Sequence, residues 1–591
     1  MAFMKSHLPL WEGIATYFVA NQKTLDTLHK RAGSSVFFTR DLPALGKAFD
    51  ASLTGIKFDL TDVPFKKRSQ TDERPAFMHE FFSRTHCKMG YVKPDVCGKD
   101  IQKIRQLLFV FYKYEMPMTP EMVSAATEKF LSVDDDVKQG GWPSTLDRVR
   151  SIFRSVLPDN PIDIRPHHSN GATFDKSNSI QRRTDRNIYP ALFALFGLDT
   201  FYLDANHAIE SMTASQSEIR PLVKTRVSFV PKDSRGPRTI CIEAHEVMMV
   251  QKGLQQLIYD HVELYSPAKG FINFTDQSVN RRLAQLGSLD GSYATIDLKD
   301  ASDLVSWDLV SMLSTDEWRE ALEATRSTVA CLPNGTERKL KKYAPMGSAL
   351  CFPIEAIVFW AIARTVTDLV YVYGDDIIVR REAAGAVIDA LEGYGLAVNR
   401  GKTLTTGLFR ESCGGDYYAG CPIHYIKCKS YDKSSFIPFL NHLGAEFGQK
   451  LSDDLCHWYE NWTSDVVYRR PISERINPEA YVFYTEHNAS NHVFFRRRFN
   501  KDLQCFETRR LFEVSRPVGM KTDDDRAMYF DWLCEHMPAN QPEDYHINRE
   551  YIDFNVYYYR WDDYLENRSA IHRQERKPVT KFVWGVDNPV T

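Results

Sequence analysis

Three observations make this sequence that of an α+β protein. Between about residues 220 and 430, apolar runs of strand length alternate with runs of helix length. One segment there, LVYVYGDDIIV at 369–379, reads as two β runs around a tight Gly-Asp turn, a hairpin. The order strand, helix, helix, hairpin, helix, strand suits a small antiparallel sheet backed by helices on one face.

Taken in order, residues 1–200 read as mixed helix and loop, with polar connections at 64–75 and 132–143. VSFVPKDSRGPRTICIE (227–243) predicts two strands joined by a basic Gly-Pro turn, and 246–260 a helix. YATIDL (293–298) is a short apolar strand, followed by a helix from about Asp303 to Leu313. The stretch 351–365 is apolar on nearly every side, which predicts a buried helix. A helix over 382–395 ends in glycine, and 396–398 is a short strand. Residues 430–591 mix charge and aromatics without a clean period and are expected to be mostly helical with long loops.

The bulk numbers bound the function. A chain of 591 residues has room for several domains. The formal net charge of -3 excludes a wholly basic nucleic-acid coat, so any RNA path must be a local basic groove. No run of eighteen apolar residues predicts a membrane span, and Glu12 and Gly13 interrupt the N-terminus in a way that does not suit a signal peptide. The 11 cysteines, odd in number and without repeated spacing, fit a reducing cytoplasm better than a disulfide scaffold.

The strongest chemical signal is Tyr373-Gly374-Asp375-Asp376. Adjacent carboxylates at a hairpin tip repel unless cations compensate them. Asp297 ends the strand ATIDL, and if that strand lies beside the hairpin the three acids converge. Asp297, Asp375 and Asp376 would then hold two Mg²⁺ (Mn²⁺ as a substitute) roughly 3.5–4 Å apart, the arrangement suited to in-line displacement at phosphorus. Taken alone, the tetrapeptide is equally an ordinary hairpin turn of type I′. Cys413, Cys421, His424 and Cys428 lack a C-x₂-C pair, and buried thiols are the commoner reading there.

Several segments in one order resemble the replicase subunit of the single-stranded RNA bacteriophages, the Qβ-like group. They are VPKDSRGPRTICIE, DQSVNRRLAQLGS (276–288), ATIDLKDASD (294–303), PMGSALCFPIEAIVF (345–359), YGDD, NRGKT (399–403), FRESCGGDYYAG (409–420) and, more weakly, HHSNGAT (167–173). The resemblance covers 165–425 in patches. It implies a right-hand polymerase, with an N-terminal and fingers region at 1–220, a fingers and palm core at 221–430, and a thumb and C-terminal region at 431–591. It also implies primer-independent RNA synthesis on a single-stranded RNA template from NTPs, in the cytoplasm of a bacterial host. Host partners are implied too, namely elongation factors Tu and Ts and a ribosomal protein. Ser348, Cys351 and the Lys299-Asp300 pair depart from the residues usual in the family.

In this motif context Lys232, Arg235 and Arg238 are expected to clamp the incoming triphosphate, against the plain alternative of a solvated basic loop. Asp303 is either an acceptor for the ribose hydroxyls or a helix N-cap, or both. Gly347 lets backbone approach the template or sugar, or simply turns the chain into the buried helix, and Ser348 adds a hydroxyl contact. Lys402 is either a general acid for pyrophosphate or a surface lysine after a glycine turn. Glu355, on the buried helix, needs a structural partner. The rival readings are a reverse transcriptase, disfavoured by the Gly before the two Asp and by the basic turn, and a non-catalytic RNA-binding protein, disfavoured by the presence of all three acids.

Overall fold

The structure is a computed structural model that describes residues 2–169, 171–177, 182, 186–196, 217–464, 467, 469–471 and 483–485, and the backbone of strands at 497–500, 505–519 and 574–586. It divides into two units, one of Met1–Lys176, Asn187–Phe201 and Glu218–Asp465, the other of Ser177–Arg186, Tyr202–Ser217 and Val466–Thr591.

In the first unit the N-terminal stretch supplies helices α1 (Leu42–Ser52), α2 (Gly98–Phe109) and α3 (Pro120–Asp135). α3 starts where its sequence dictates. Thr119 accepts the Met122 N–H at 3.3 Å and Pro120 occupies the first turn, where its missing N–H costs nothing. The basic hairpin follows as β1 (Lys224–Asp233) and β2 (Gly236–Ile242), then α4 (His245–Leu264), α5 (Ser278–Asp290) and β3 (Tyr293–Lys299). Next come α6 (Trp307–Leu313), β4 (Val329–Cys331), β5 (Glu337–Lys339) and the buried helix α7 (Cys351–Arg364). The hairpin β6 (Val370–Tyr373) and β7 (Asp376–Arg380) leads to α8 (Ala384–Gly393), β8 (Ala397–Val398), β9 (Phe409–Ser412) and β10 (Gly415–Tyr418). Helices α9 (Lys433–Phe447) and α10 (Gln449–Thr463) close the unit.

The central sheet has the order β6-β7-β3-β8, every pair antiparallel. A second four-stranded sheet runs β2-β1-β4-β5, with β4 parallel to β1. The expectation of helices on one face of the central sheet is corrected. Tyr293 and Ile378 pack against Leu283 and Ala284 of α5 on one face, while Ala294, Ile296, Val370, Val372, Ile377 and Val379 are buried on the other. A sheet covered on both sides does not need strict polar alternation, and β7 accordingly carries three consecutive buried apolar residues, Ile377, Ile378 and Val379.

Two further expectations change. The helix placed at Asp303 starts at Trp307 instead, because Ser306 takes the cap, its Oγ accepting the Leu309 N–H at 3.0 Å. Ser302–Leu304 form a separate 3₁₀ turn, and Val305 is extended. In the second unit the described elements are strands rather than helices. Arg469–Pro471 pairs in parallel with Phe483–Thr485, and Cys505–Gly519 pairs antiparallel with both Arg497–Asn500 and Gln574–Val586. The pairing of Cys505–Gly519 with Gln574–Val586 spans a long stretch of chain, so no local turn signal marks it. The tyrosine-rich stretch 545–568 lies outside the described residues.

The N-terminal helices are locked to the core by one buried cation. Arg105 of α2 is 2% exposed. Its Nε and Nη2 donate to Asp50 of α1 at 2.9 and 3.1 Å, and its Nη1 meets Asp416 of β10 at 3.0 Å and the Ile423 carbonyl at 2.7 Å. Removing one partner of such a set leaves the others charged and dry. Arg105→Ala is expected to lower stability by about 3–5 kcal/mol, read as a shift of the urea midpoint; a midpoint unchanged from wild type would show that the ion set does not secure the N-terminal helices.

Candidate active site

The hairpin β6–β7 closes through a two-residue turn, since Tyr373 pairs directly with Asp376. Of the two turn residues only Gly374 has positive φ, at 59°, the pattern of a type II′ rather than a type I′ turn. A Cβ on Gly374 would lie 2.4 Å from the Phe352 ring of α7, so the glycine is required by packing as well as by φ. Phe352 thus seats the tip against the buried helix.

Strand register then fixes the acids. Asp376 lies directly opposite Asp297, Ile377 opposite Ile296, and so on to Arg380 opposite Tyr293. Directly opposed residues point to the same face of a sheet, so two carboxylates face each other with a third, Asp375, at the adjoining tip. Like charges in that position are unfavourable, and the surroundings respond. Asp297 accepts from Lys402 Nζ at 3.2 Å and from Asn399 Nδ2 at 2.6 Å. Asp376 accepts the Cys413 N–H at 3.1 Å. Lost hydration first, and the charge of Asp297 next, raise the pKa of Asp375, while Lys402 and Arg238 pull it back. Burial and the charge of Asp375 push Asp376 up to about 6. Burial lowers the Lys402 pKa, but Asp297 and Glu411 more than offset this and leave it above the ordinary lysine value. In this arrangement Lys402 is the counter-ion of Asp297.

Other segments brace the site. In α5, Asn280 Nδ2 donates to the Asp376 carbonyl at 3.1 Å, and Arg281 Nε donates to the Cys413 carbonyl at 3.0 Å. Cys413 and Gly414 form the turn between β9 and β10, both with positive φ, as in a type I′ hairpin. That turn aims the Cys413 N–H at Asp376. Glu411 of β9 is a fourth carboxylate beside the site, raised to about 7 by burial and by Asp416. The sequence reading missed Asn399, Glu411 and the Cys413 N–H, although all three lie inside the segments NRGKT and FRESCGGDYYAG.

The remaining predicted residues separate. Arg238 pairs in register with Val230 on the basic hairpin, and its charge acts on Asp375. The Lys232 ammonium is lowered by burial and by its neighbour Arg238. Arg235 is held elsewhere: it chelates Asp233 through Nε at 3.0 Å and Nη2 at 2.6 Å and lies 4.7 Å from the centre of the Tyr112 ring. It lines a cleft of about 340 Å³ with Thr39, Arg40, Pro43, Ala44 and Lys47. Asp303 is not the helix cap; its Oδ1 accepts from Lys342 Nζ at 2.8 Å. Gly347 has φ 125°, and a Cβ there would sit 2.0 Å from the Cys241 carbonyl of β2, so the close backbone approach it permits is to its own chain. Ser348 Oγ accepts the Leu350 N–H at 3.3 Å and turns the chain into α7. Glu355, 8% exposed on α7, has no hydrogen-bond partner at Oε2, and burial raises its pKa well above the carboxylate range, with Asp375 and Asp303 adding to this. Among the described residues, the structural partner expected for Glu355 is not found at that oxygen.

Cys413, Cys421, His424 and Cys428 do not gather, His424 pairing with Glu446 at 3.0 Å while Cys428 is buried with its N–H donating to the Val110 carbonyl at 2.8 Å. Among the described residues, the group of three whose donor atoms all lie within 4.8 Å of one another is Asp175, His245 and Glu246, rather than the three acids of the hairpin. That group already carries its own cation, since Arg220 Nη1 donates to Asp175 at 2.7 Å.

Fold and site together define an α+β protein whose antiparallel sheet carries opposed carboxylates at one end, with a cationic hairpin acting on the same acids. Residues 200–550, more than half of the chain, match the family described as RNA replicase, beta-chain. The chain belongs to that family. It is 40% identical over 201 residues to the RNA-directed RNA polymerase subunit beta of Enterobacteria phage SP, covering 33% of this chain and 34% of that one. It is 37% identical over 329 residues to the RNA-directed RNA polymerase beta chain of Escherichia phage MS2, covering 54% and 58%. To the RNA-directed RNA polymerase subunit beta of Escherichia virus Qbeta it is 34% identical over 236 residues, covering 38% and 39%. The aligned stretches span between 34% and 58% of the length of these three relatives.

The close approach at Gly347 gives a direct test of the site's support. Gly347→Ala is expected to destabilise the protein by about 2–3 kcal/mol through strain and displacement of β2. Urea denaturation would measure it, and a loss under about 0.5 kcal/mol, the range of surface substitutions, would mean that β2 and the 345–350 segment are not in contact.

Proposed function

We propose that the chain is an RNA-directed RNA polymerase that copies single-stranded RNA by nucleotidyl transfer, replicating and transcribing a phage genome from primer-independent starts. The observation that carries this reading is the opposed pair Asp297 and Asp376 beside the tip residue Asp375, with the Arg238 charge reaching the same carboxylate. The names of the relatives support it. We assign residues 1–220 to the N-terminal and fingers region, 221–430 to fingers and palm, and 431–591 to thumb and C-terminal region.

The three acids offer only hard oxygen donors and carry more negative charge than Lys402 and Arg238 balance, which fits two Mg²⁺ (or Mn²⁺) held by Asp297, Asp375 and Asp376. When bound, such ions lower the pKa of the attacking 3′-hydroxyl and neutralise the triphosphate. The chain's own residues do the rest. Arg238 and Lys232 bind the triphosphate, and Arg235, tied to Asp233, stiffens the turn that presents them. Asp303 accepts from the ribose hydroxyl. Gly347 and Ser348 shape the wall beside the sugar. An anionic leaving group competes with Asp297 for the Lys402 ammonium and takes its proton as it departs. The partners under this reading are template RNA, NTPs and host proteins, namely elongation factors Tu and Ts and a ribosomal protein, and the setting is the cytoplasm of the bacterial host. Among the described residues no helix is long and apolar enough to cross a membrane.

Template-dependent NTP incorporation with Mg²⁺, run with and without host extract, tests the activity. Asp375→Asn and Asp297→Asn are each expected to cut it on the order of 10³-fold while template binding survives; wild-type rates in either variant would overturn the assignment. A second expectation concerns pH. Asp376 titrates at about 6 in the folded protein, and a protonated carboxyl does not bind a cation. The Mg²⁺ concentration for half-maximal activity should therefore rise several-fold between about pH 7.5 and about pH 5.5. A flat dependence would remove Asp376 from the ligand set.

A further inference from the structure

Lys342 follows β5 and is completely buried, at 0% exposure. Its ammonium donates to Asp303 Oδ1 at 2.8 Å, lies 4.0 Å from Asp134 Oδ1, and sits 4.0 Å from the centre of the Phe130 ring. Asp134 and Phe130 both belong to α3. Asp134 is itself buried, and its carboxylate accepts the backbone N–H groups of Lys341 and Lys342 at 3.1–3.2 Å. The same helix fastens the surrounding chain twice more, through Lys129 to Asp300 and through Asp135 to Arg338. Lys342 is therefore a fixed charge with little freedom to move. No other hydrogen bond to the Asp303 carboxylate occurs among the described residues, so Oδ2 is left for a ligand. The charge of Asp303 acts on Glu355 of α7, as does that of Asp375. A buried ammonium that grips one oxygen of a partly exposed carboxylate sets the direction in which the other oxygen points.

We propose that Lys342, clamped by Asp134 and Phe130 of the N-terminal helix α3, is a positioning residue that aims Asp303 at the sugar hydroxyl and so sets the preference for ribonucleotides over deoxyribonucleotides. This rests on the polymerase reading and on the sugar contact assigned to Asp303. The residues that hold Lys342 lie outside the stretch matched by the family, 200–550. Sugar selection is thus assigned in part to a segment without a recognised motif.

The test measures kcat and KM for an NTP and its dNTP with the full chain in the presence of host extract, in wild type, Lys342→Met, Lys342→Arg, Asp303→Asn and the double variant Lys342→Met/Asp303→Asn. Lys342→Met should reduce the NTP/dNTP ratio of kcat/KM at least tenfold, mostly through a higher KM for the NTP. Lys342→Arg keeps the buried charge and should fall between wild type and Lys342→Met. Adding Lys342→Met to Asp303→Asn should change the ratio by less than twofold, because Lys342 acts through Asp303. A wild-type ratio in Lys342→Met overturns the inference. If that variant does not accumulate, a wild-type ratio in Lys342→Arg overturns it, and so do additive losses in the double variant. A wild type that incorporates no NTP fails at the earlier step and overturns the polymerase reading together with this inference.

Discussion

The site depends on one constraint, the register of β7 against β3. Side chains on a strand alternate between faces, so a slip of one residue would send Asp376 to the side opposite Asp297 and scatter the acids. Nothing at the acids themselves favours the observed pairing, because their charges repel. The register is set by the rest of the strands. Ile377 and Val379 must enter the same core as Ala294 and Ile296, and the two-residue turn at Gly374-Asp375 admits only one alignment of β6 with β7. Apolar burial thus holds together what electrostatics would push apart.

The repulsion that remains is handled by single, well-placed groups. Lys402 and Asn399 hold Asp297, the Cys413 N–H holds Asp376, and Arg238 acts on Asp375. Each comes from a different segment, and each segment is braced by another. α5 ties Asp376 and Cys413 through Asn280 and Arg281, and α7 props the tip through Phe352. The acids are stiffly mounted but incompletely neutralised, the condition in which a carboxylate group has most to gain from a cation.

How much of this the sequence disclosed follows from what is local. The hairpin, the buried helix at 351–364, the basic hairpin and the Asp297 strand could be read because each rests on a short apolar pattern or a turn chemistry. The order of those segments was enough to bring Asp297 beside Asp376. Asp303 could be read as a ribose contact, a cap or both, and the cap falls instead to Ser306, three residues on. The sequence groups Arg235 with Lys232 and Arg238 as a triphosphate clamp, yet Asp233, two residues earlier, captures it. Burial of both sheet faces was hidden by the brevity of β3. Arg105, Asp134 and Lys342 carried no signal at all, since an isolated charge in a helix or loop reads as solvated until its distant partner is known. The strands beyond residue 468 mix charged and aromatic residues without a clean alternation, and the partner of Cys505–Gly519 lies far along the chain at Gln574–Val586.

The long reach of those ion sets bears on how the protein is made. Arg105 and Ile423 are 318 positions apart, and Asp134 and Lys341 are separated by 207. During synthesis the first helices leave the ribosome carrying buried-type charges whose complements are only partly made: Asp50 is already present for Arg105, but Asp416 and the Lys341 and Lys342 N–H groups have not yet been translated. Until those complements emerge, Asp134 and Arg105 gain more from water than from any packed interior. The N-terminal helices are therefore bound to dock late, and the nascent chain reaches its final shape only after the segment around 409–428 has been added.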